Sequence, residues 1–120
     1  MAGKIIADTL EHSTAGSVTT DYVVNGSAKA WANGDGTGTV SLEDSFNVTS
    51  MTDTTTGDYT YTLTSAMSNS NYACPVGISA GEGFLNNDLS TTTARIKSFF
   101  IGGTQSDTDT VTCAVFGDLA

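Results

Sequence analysis

Positively charged residues are scarce in this chain. Three Lys and one Arg face ten Asp and three Glu, which gives a formal net charge of −9 over 120 residues. Phosphate contacts need clustered Lys and Arg, so this balance excludes a nucleic-acid-binding function. The same charge disfavours an anionic bilayer surface, and no apolar run approaches the ~20 residues of a membrane span. The N-terminus also lacks the basic start and long apolar core of a signal peptide.

Histidine and cysteine are nearly absent as well. With His12 alone, a zinc site would need Cys and Asp at unsuitable spacing, and a serine triad would have to use His12. Cys74 and Cys113 both lie in apolar strand patterns, which predicts buried free thiols rather than a disulfide. Thirteen acids leave a glycosidase carboxylate pair open, because sequence gives no separations, but solvated surface acids are the favoured interpretation. We predict no catalytic, cofactor-binding or metal-binding residue and no enzyme.

What the chain does contain is Thr, Ser and Gly in abundance, a composition typical of β proteins with many turns. Residues 59–65 carry the clearest strand signal, with Tyr59, Tyr61 and Leu63 on one face and threonines on the other. Further strands are predicted at residues 21–24, 28–32, 39–42, 46–51, 72–79 and 110–116. The sum is one all-β domain of 120 residues, an antiparallel β-sandwich with jelly-roll-like strand content.

Several local expectations accompany this fold. Trp31 should lie opposite a face of small alanines, and Phe46 should share a face with Val48. Pro75 lacks an N–H, so its strand should be at an edge or bulged. Residues 81–93 are expected to form a long loop. Residues 95–101 are apolar on both faces, which predicts either a central strand or a strand covered by a neighbouring subunit.

The segment NGDGTGTVSLED, residues 33–44, partly matches a calcium-binding EF-hand loop. Its last position is Asp44 where a bidentate Glu is needed, and its flanks are strand-like rather than helical. We therefore expect weak calcium binding or none. The turns at Asp58 and at residues 107–109 could hold a hard cation in the same way, but solvated hairpin ends are the favoured interpretation.

Aromatic residues offer a possible sugar-stacking surface. The candidates are Trp31, Tyr22, Tyr59, Tyr61 and Tyr72. Their strand positions favour packing in the core or at a subunit interface over contact with a polysaccharide.

Residues 25–118 resemble a module found at the C-terminal ends of bacteriophage tail fibres and related virion proteins. The resemblance is carried by a series of short motifs in a fixed order: AKAW (28–31), GTGTV (36–40), SFNVTS (45–50), TGDYT (56–60), TSAM (64–67), NYA (71–73) and a tail ending in VFGD (115–118). The order and spacing are more specific than any single motif.

The resemblance implies a bacteriophage structural protein that forms a homotrimer, contacts other capsid or tail proteins and is displayed on the virion. Residues 25–120 would form the module and residues 1–24 an extended leader, with Ile5, Ile6 and Leu10 as a virion anchor. Ile96, Phe99, Phe100 and Ile101 are the candidate subunit interface. So short a leader leaves no room for a shaft, which favours a capsid decoration, a head fibre or a short fibre tip.

A displayed module suggests contact with a host surface glycan or protein. The alternatives are a secreted, calcium-dependent carbohydrate-binding module and, less favoured, a small polysaccharide hydrolase.

Overall fold

Two four-stranded antiparallel sheets face each other in this chain, and a β-hairpin with a short helix precedes them. The computed structural model describes residues 3–86 and 88–120; residues 1, 2 and 87 lie outside that description. The all-β sandwich predicted from the sequence is therefore confirmed. Among the described residues, no helix is both long enough and apolar enough to cross a membrane.

The secondary structure is made of short elements. In chain order they are β1 (Thr9–His12), β2 (Gly16–Thr19), α1 (Thr20–Gly26), β3 (Ala30–Asp35), β4 (Ser41–Phe46), β5 (Val48–Thr55), β6 (Asp58–Leu63), β7 (Val76–Ile78), β8 (Glu82–Leu85), β9 (Thr93–Phe99) and β10 (Val111–Val115). Sheet I has the strand order β4-β3-β10-β7 and sheet II the order β5-β6-β9-β8.

The core lies between the two sheets and follows the period of two that strands impose. On β6 the inward side chains are Tyr59, Tyr61 and Leu63, as the alternation predicted. Sheet I contributes small inward residues on β3, Ala30 and Ala32, which leave room for the tyrosine rings opposite. Cys74 and Cys113 are buried and unpaired, as expected.

The chain crosses from sheet I to sheet II at Asn47, which has a left-handed backbone with φ of 56°. Asn tolerates this conformation better than most residues. The side chain then joins the two sheets, because Nδ2 donates to the Lys29 carbonyl (3.0 Å) and Oδ1 accepts from the Ser65 N–H (2.8 Å). The single-residue corner reverses the alternation, so Val48 is buried while Phe46 is exposed. The prediction that Phe46 and Val48 share a face was wrong.

The four outer strands are all short or irregular. β7 has three residues and follows Pro75 directly, in agreement with the predicted edge position. β8 has four residues. β4 and β5 pair with their neighbours through shifts in register. Each free edge is thus either short or bulged.

Two predictions of secondary structure were wrong. Residues 21–24 form part of helix α1 rather than a strand, because no neighbouring strand offers them hydrogen bonds and the helix begins after an extended residue, Thr19. Residues 81–93 are not all loop, since they include β8. Neither α1 nor β8 buries a full face, so the apolar residues of their sequences show no regular spacing.

Strand β9 lies between β6 and β8, which settles the two-faced segment as a central strand. It ends at Phe99, earlier than predicted. Phe100 and Ile101 lie in the following turn, where Gly102 and Gly103 adopt positive φ.

Candidate functional site

Polar loops at one end of the sandwich are tied together by the Tyr59 hydroxyl. It donates to the Gly36 carbonyl (3.0 Å) and accepts from the Thr108 N–H (3.3 Å), and Asp107 Oδ1 lies 3.2 Å away. Asp107 also accepts from the Gly57 N–H at 2.7 Å. Burial raises the pKa of Tyr59, so the hydroxyl keeps its proton. The motif residues of TGDYT and of the turn after β3 thus hold three loops in place.

The acidic segment 33–44 is a hairpin with a bulge, formed by β3 and β4. Asp35 Oδ1 accepts from the Thr37 hydroxyl (2.6 Å) and the Thr37 N–H (2.7 Å), and these bonds lower the pKa of Asp35. Within residues 3–86 and 88–120, no three His, Cys, Asp or Glu side chains converge as a metal site would require. The expectation of weak calcium binding or none stays a prediction.

Asp58 lies at the start of β6 with only 2% of its surface exposed. Its carboxylate accepts two hydrogen bonds from Arg95, from Nε and Nη2, each 2.7 Å long, and Lys97 Nζ lies 3.7 Å away. A bidentate pair of this kind fixes β6 against β9. Asp58 is therefore a structural anion rather than a free cation ligand.

His12 is the exposed last residue of β1, next to the turn that leads to β2. Its Nδ1 accepts from the Ala15 N–H (3.0 Å), which leaves Nε2 as the protonated nitrogen in the neutral ring. This bond closes the hairpin, so the only histidine of the chain serves a turn.

Three of the five aromatic residues considered for sugar stacking are in the core: Tyr59, Tyr61 and Tyr72. Burial raises the pKa of Tyr72 to about 12, and its hydroxyl donates to the Thr93 carbonyl at 2.8 Å. Tyr22 on α1 and Trp31 on β3 are exposed. Only these two remain available to a ligand.

Large apolar side chains are exposed in three places. The N-terminal unit (residues 3–27) exposes Ile5, Ile6, Leu10, Val18, Tyr22, Val23 and Val24. The β8–β9 patch contains Phe84, Phe99, Phe100 and Ile101, with the Phe84 and Phe99 rings edge to face at 5.6 Å. The third place is on sheet I around Trp31 and Phe46, near Leu119.

The predicted subunit interface is only partly available. Ile96 is completely buried in the core of its own chain, so it cannot contact another subunit, and its assignment is corrected. Phe99 is half-buried, while Phe100 and Ile101 are exposed. Phe84, which the sequence did not suggest, joins them because β8 lies beside β9.

A depression of about 490 Å³ opens at the end of the sandwich beside Phe46. Its lining includes Lys29, Phe46, Thr64, Ser65 and Leu119, and we call it the Phe46 depression. The Lys29 ammonium donates to the carbonyls of Val24 and Ser27. The Thr64 and Thr49 hydroxyls are hydrogen-bonded at 2.8 Å. No sequence pattern predicts this depression, because the depression depends on the corner at Asn47.

Comparison with known proteins found no family model, no curated protein and no solved structure that matches the chain.

Proposed function

We propose that the chain is a structural protein of a bacteriophage virion, in which the β-sandwich is displayed on the particle and the N-terminal unit attaches it. The observation that carries this proposal is the N-terminal unit itself. None of its described residues is buried, yet seven large apolar side chains are exposed there. The motif series in residues 25–118 adds the link to phage fibres.

An N-terminal unit of this kind is a poor independent fold. A lone two-stranded hairpin is marginally stable in water, and α1 has only seven residues. Burying Ile5, Ile6 and Leu10 on a partner would contribute ~1.5–3 kcal/mol for each side chain before entropy costs. The unit thus has the properties expected of a docking segment that is completed by a virion protein.

A homotrimer is the second part of the proposal, with the β8–β9 patch as the contact between subunits. Phe100 and Ile101 lie in a turn at the end of sheet II, where their side chains are 59% and 84% exposed. Three linked docking segments would strengthen attachment through avidity, without any new contact.

Virion occupancy tests the attachment. We expect the triple change Ile5→Ser, Ile6→Ser and Leu10→Ser, made in the phage that encodes the chain, to lower the copies per purified particle at least tenfold. The matched control is Leu119→Ser, since Leu119 is 44% exposed and Leu10 is 46% exposed. Normal occupancy of the triple variant would refute the docking role of the N-terminal unit.

Light scattering tests the trimer. The purified chain should have a mass of about 37 kDa, three times its 12.3 kDa. Phe100→Asp with Ile101→Asp should return it to the mass of one chain. A single-chain mass for the unaltered protein at micromolar concentration would reject the trimer.

A further inference from the structure

We infer that the Phe46 depression, together with the exposed ring of Trp31, binds sugar rings of a neutral glycan. This deepens the proposed function, on which it rests, by assigning the contact of the displayed module with a host surface. The inference depends on the shape of the depression, on the aromatic residues at its rim and on its charge.

The depression has the size and composition of a small-molecule site. Its volume of about 490 Å³ is within the range of roughly 300–1,000 Å³ typical of ligand pockets. Phe46 and Leu119 supply apolar surface, and Thr64 and Ser65 supply hydroxyl groups. A pyranose has the same two aspects, an apolar face of C–H groups and a rim of hydroxyls.

Trp31 extends this surface along sheet I. It is directly opposite Phe46 across the β3–β4 pair, and the residue opposite it on β10 is Ala114. Trp31 is 38% exposed and Phe46 is 56% exposed. Ala114 is small, so the residue paired with Trp31 on that side adds no bulky side chain. A glycan of two or more sugars could therefore pass from the depression onto Trp31.

The charges favour a neutral ligand. Among the described residues that line the depression, Lys29 is the one cation, and its ammonium already donates to two carbonyl oxygens. It therefore has little need of an anionic partner. No carboxylate is among the described residues that line the depression.

A second copy of the chain fits this surface poorly. Asp35, Glu43 and Asp44 lie on the same β3–β4 hairpin as Trp31 and Phe46. Pairing two such surfaces would bring like charges together in a chain that already carries −9. The β8–β9 patch has one anion, Glu82, and one cation, Lys97, beside it, so its charges are balanced and it is the better surface for self-association.

Trp31 is the single tryptophan of the chain, so its fluorescence reports on this site alone. The probes are the methyl pyranosides of glucose, galactose, mannose and N-acetylglucosamine, titrated to roughly 50 mM, well above a ~1 mM dissociation constant. We expect at least one of them to change Trp31 emission in a saturable way. Amide shifts in NMR spectra should fall on Lys29, Thr64 and Ser65.

Two variants and one control locate the binding. Phe46→Ala should weaken it about tenfold, the effect of one lost aromatic contact, and Ser65→Ala should weaken it several-fold. Phe84→Ala is the matched control, because Phe84 is 50% exposed on the other sheet, and it should leave the affinity unchanged. Unaltered melting temperatures would show that all three variants fold.

The inference is overturned if none of the four glycosides gives a saturable change, or if Phe84→Ala weakens binding as much as Phe46→Ala. It is also overturned if Phe46→Ala splits an oligomer into single chains, since the surface would then be a subunit interface. Loss of sugar binding with normal virion occupancy would reject only this inference. Normal sugar binding combined with unchanged occupancy of the anchor variants would instead reject the docking proposal.

Discussion

Buried tyrosines make the stability of this protein sensitive to alkaline pH. Tyr72 has its pKa raised to about 12, first by burial and then by the neighbouring Cys74, and burial also raises the pKa of Tyr61. Below pH 10 these tyrosines are protonated in the folded and the unfolded state, so they add no pH dependence. Above the ordinary tyrosine pKa of about 10, the unfolded chain loses protons that the folded chain retains, and the free energy of unfolding falls.

We therefore expect denaturant midpoints to be constant from pH 7 to about 9 and to drop between about 10 and 12. Tyr72→Phe should flatten that drop. At neutral pH the same change should cost about 1 kcal/mol, because the hydrogen bond to the Thr93 carbonyl is lost. Equal pH slopes for the variant and the parent protein above pH 10 would show that Tyr72 does not control the transition.

At the scale of single elements, two of the turns between strands contain a glycine with a left-handed backbone. Gly57 in the β5–β6 turn and Gly38 in the β3–β4 turn both adopt left-handed backbones, with φ of 65° and 60°. They differ in their surroundings. A Cβ at Gly57 would lie 2.6 Å from the Ser106 carbonyl oxygen, whereas a Cβ at Gly38 would meet nothing within 4 Å.

The two glycines form a matched pair for mutation. Gly38→Ala should cost only the backbone strain, about 1 kcal/mol. Gly57→Ala should cost about 3 kcal/mol or more, because the loop around Ser106 must also move. Urea unfolding of both variants measures the difference. If the two costs agree within about 0.5 kcal/mol, the loop contact at Gly57 is not rigid.

Strands with one buried face were predictable from sequence, and elements without one were not. Tyr59, Tyr61 and Leu63 alternate with threonines because one face of β6 is in the core, and burial of one face requires apolar residues at every second position. Strands β1 and β2 are exposed on both faces, so their residues follow no period. The alternation on β3 likewise predicted that Trp31 lies on the face opposite the buried Ala30 and Ala32.

Phe46 shows why the candidate site was missed. Its alternation with Val48 suggested one continuous strand, but Asn47 turns the backbone between them and moves the chain to the other sheet. A left-handed residue cannot be recognised reliably from Asn alone, since Asn is also common in ordinary turns. Side chains from the end of β4, from the segment that follows β6 and from the C-terminal residues then form a depression that no local pattern encodes.

Across the whole molecule, backbone amides should show two levels of protection against hydrogen exchange. Strands β6 and β9 are the inner strands of sheet II and carry much of the core. The N-terminal unit buries none of its described residues. Local opening is easiest where few apolar contacts are buried. The two parts should therefore differ in hydrogen exchange.

We expect amides of β6 and β9 in the isolated chain to exchange only through global unfolding, and those of β1, β2 and α1 to exchange orders of magnitude faster. Mass spectrometry of peptides from each region would measure this. Equal protection of β1 and β6 would mean that the hairpin unfolds together with the sandwich, which would argue against a separate docking segment.

The short and bulged outer strands should limit edge-to-edge aggregation of these chains at high protein concentration. A flat, regular edge would accept a strand from a neighbour and start a growing stack. Here β7 and β8 are too short to template one, and the register shifts of β4 and β5 interrupt the row of free backbone groups. Chains that collide at high concentration should therefore separate again without forming fibrils. Whatever lasting contacts they make must be made by side chains, which can be changed one residue at a time without disturbing the sheets.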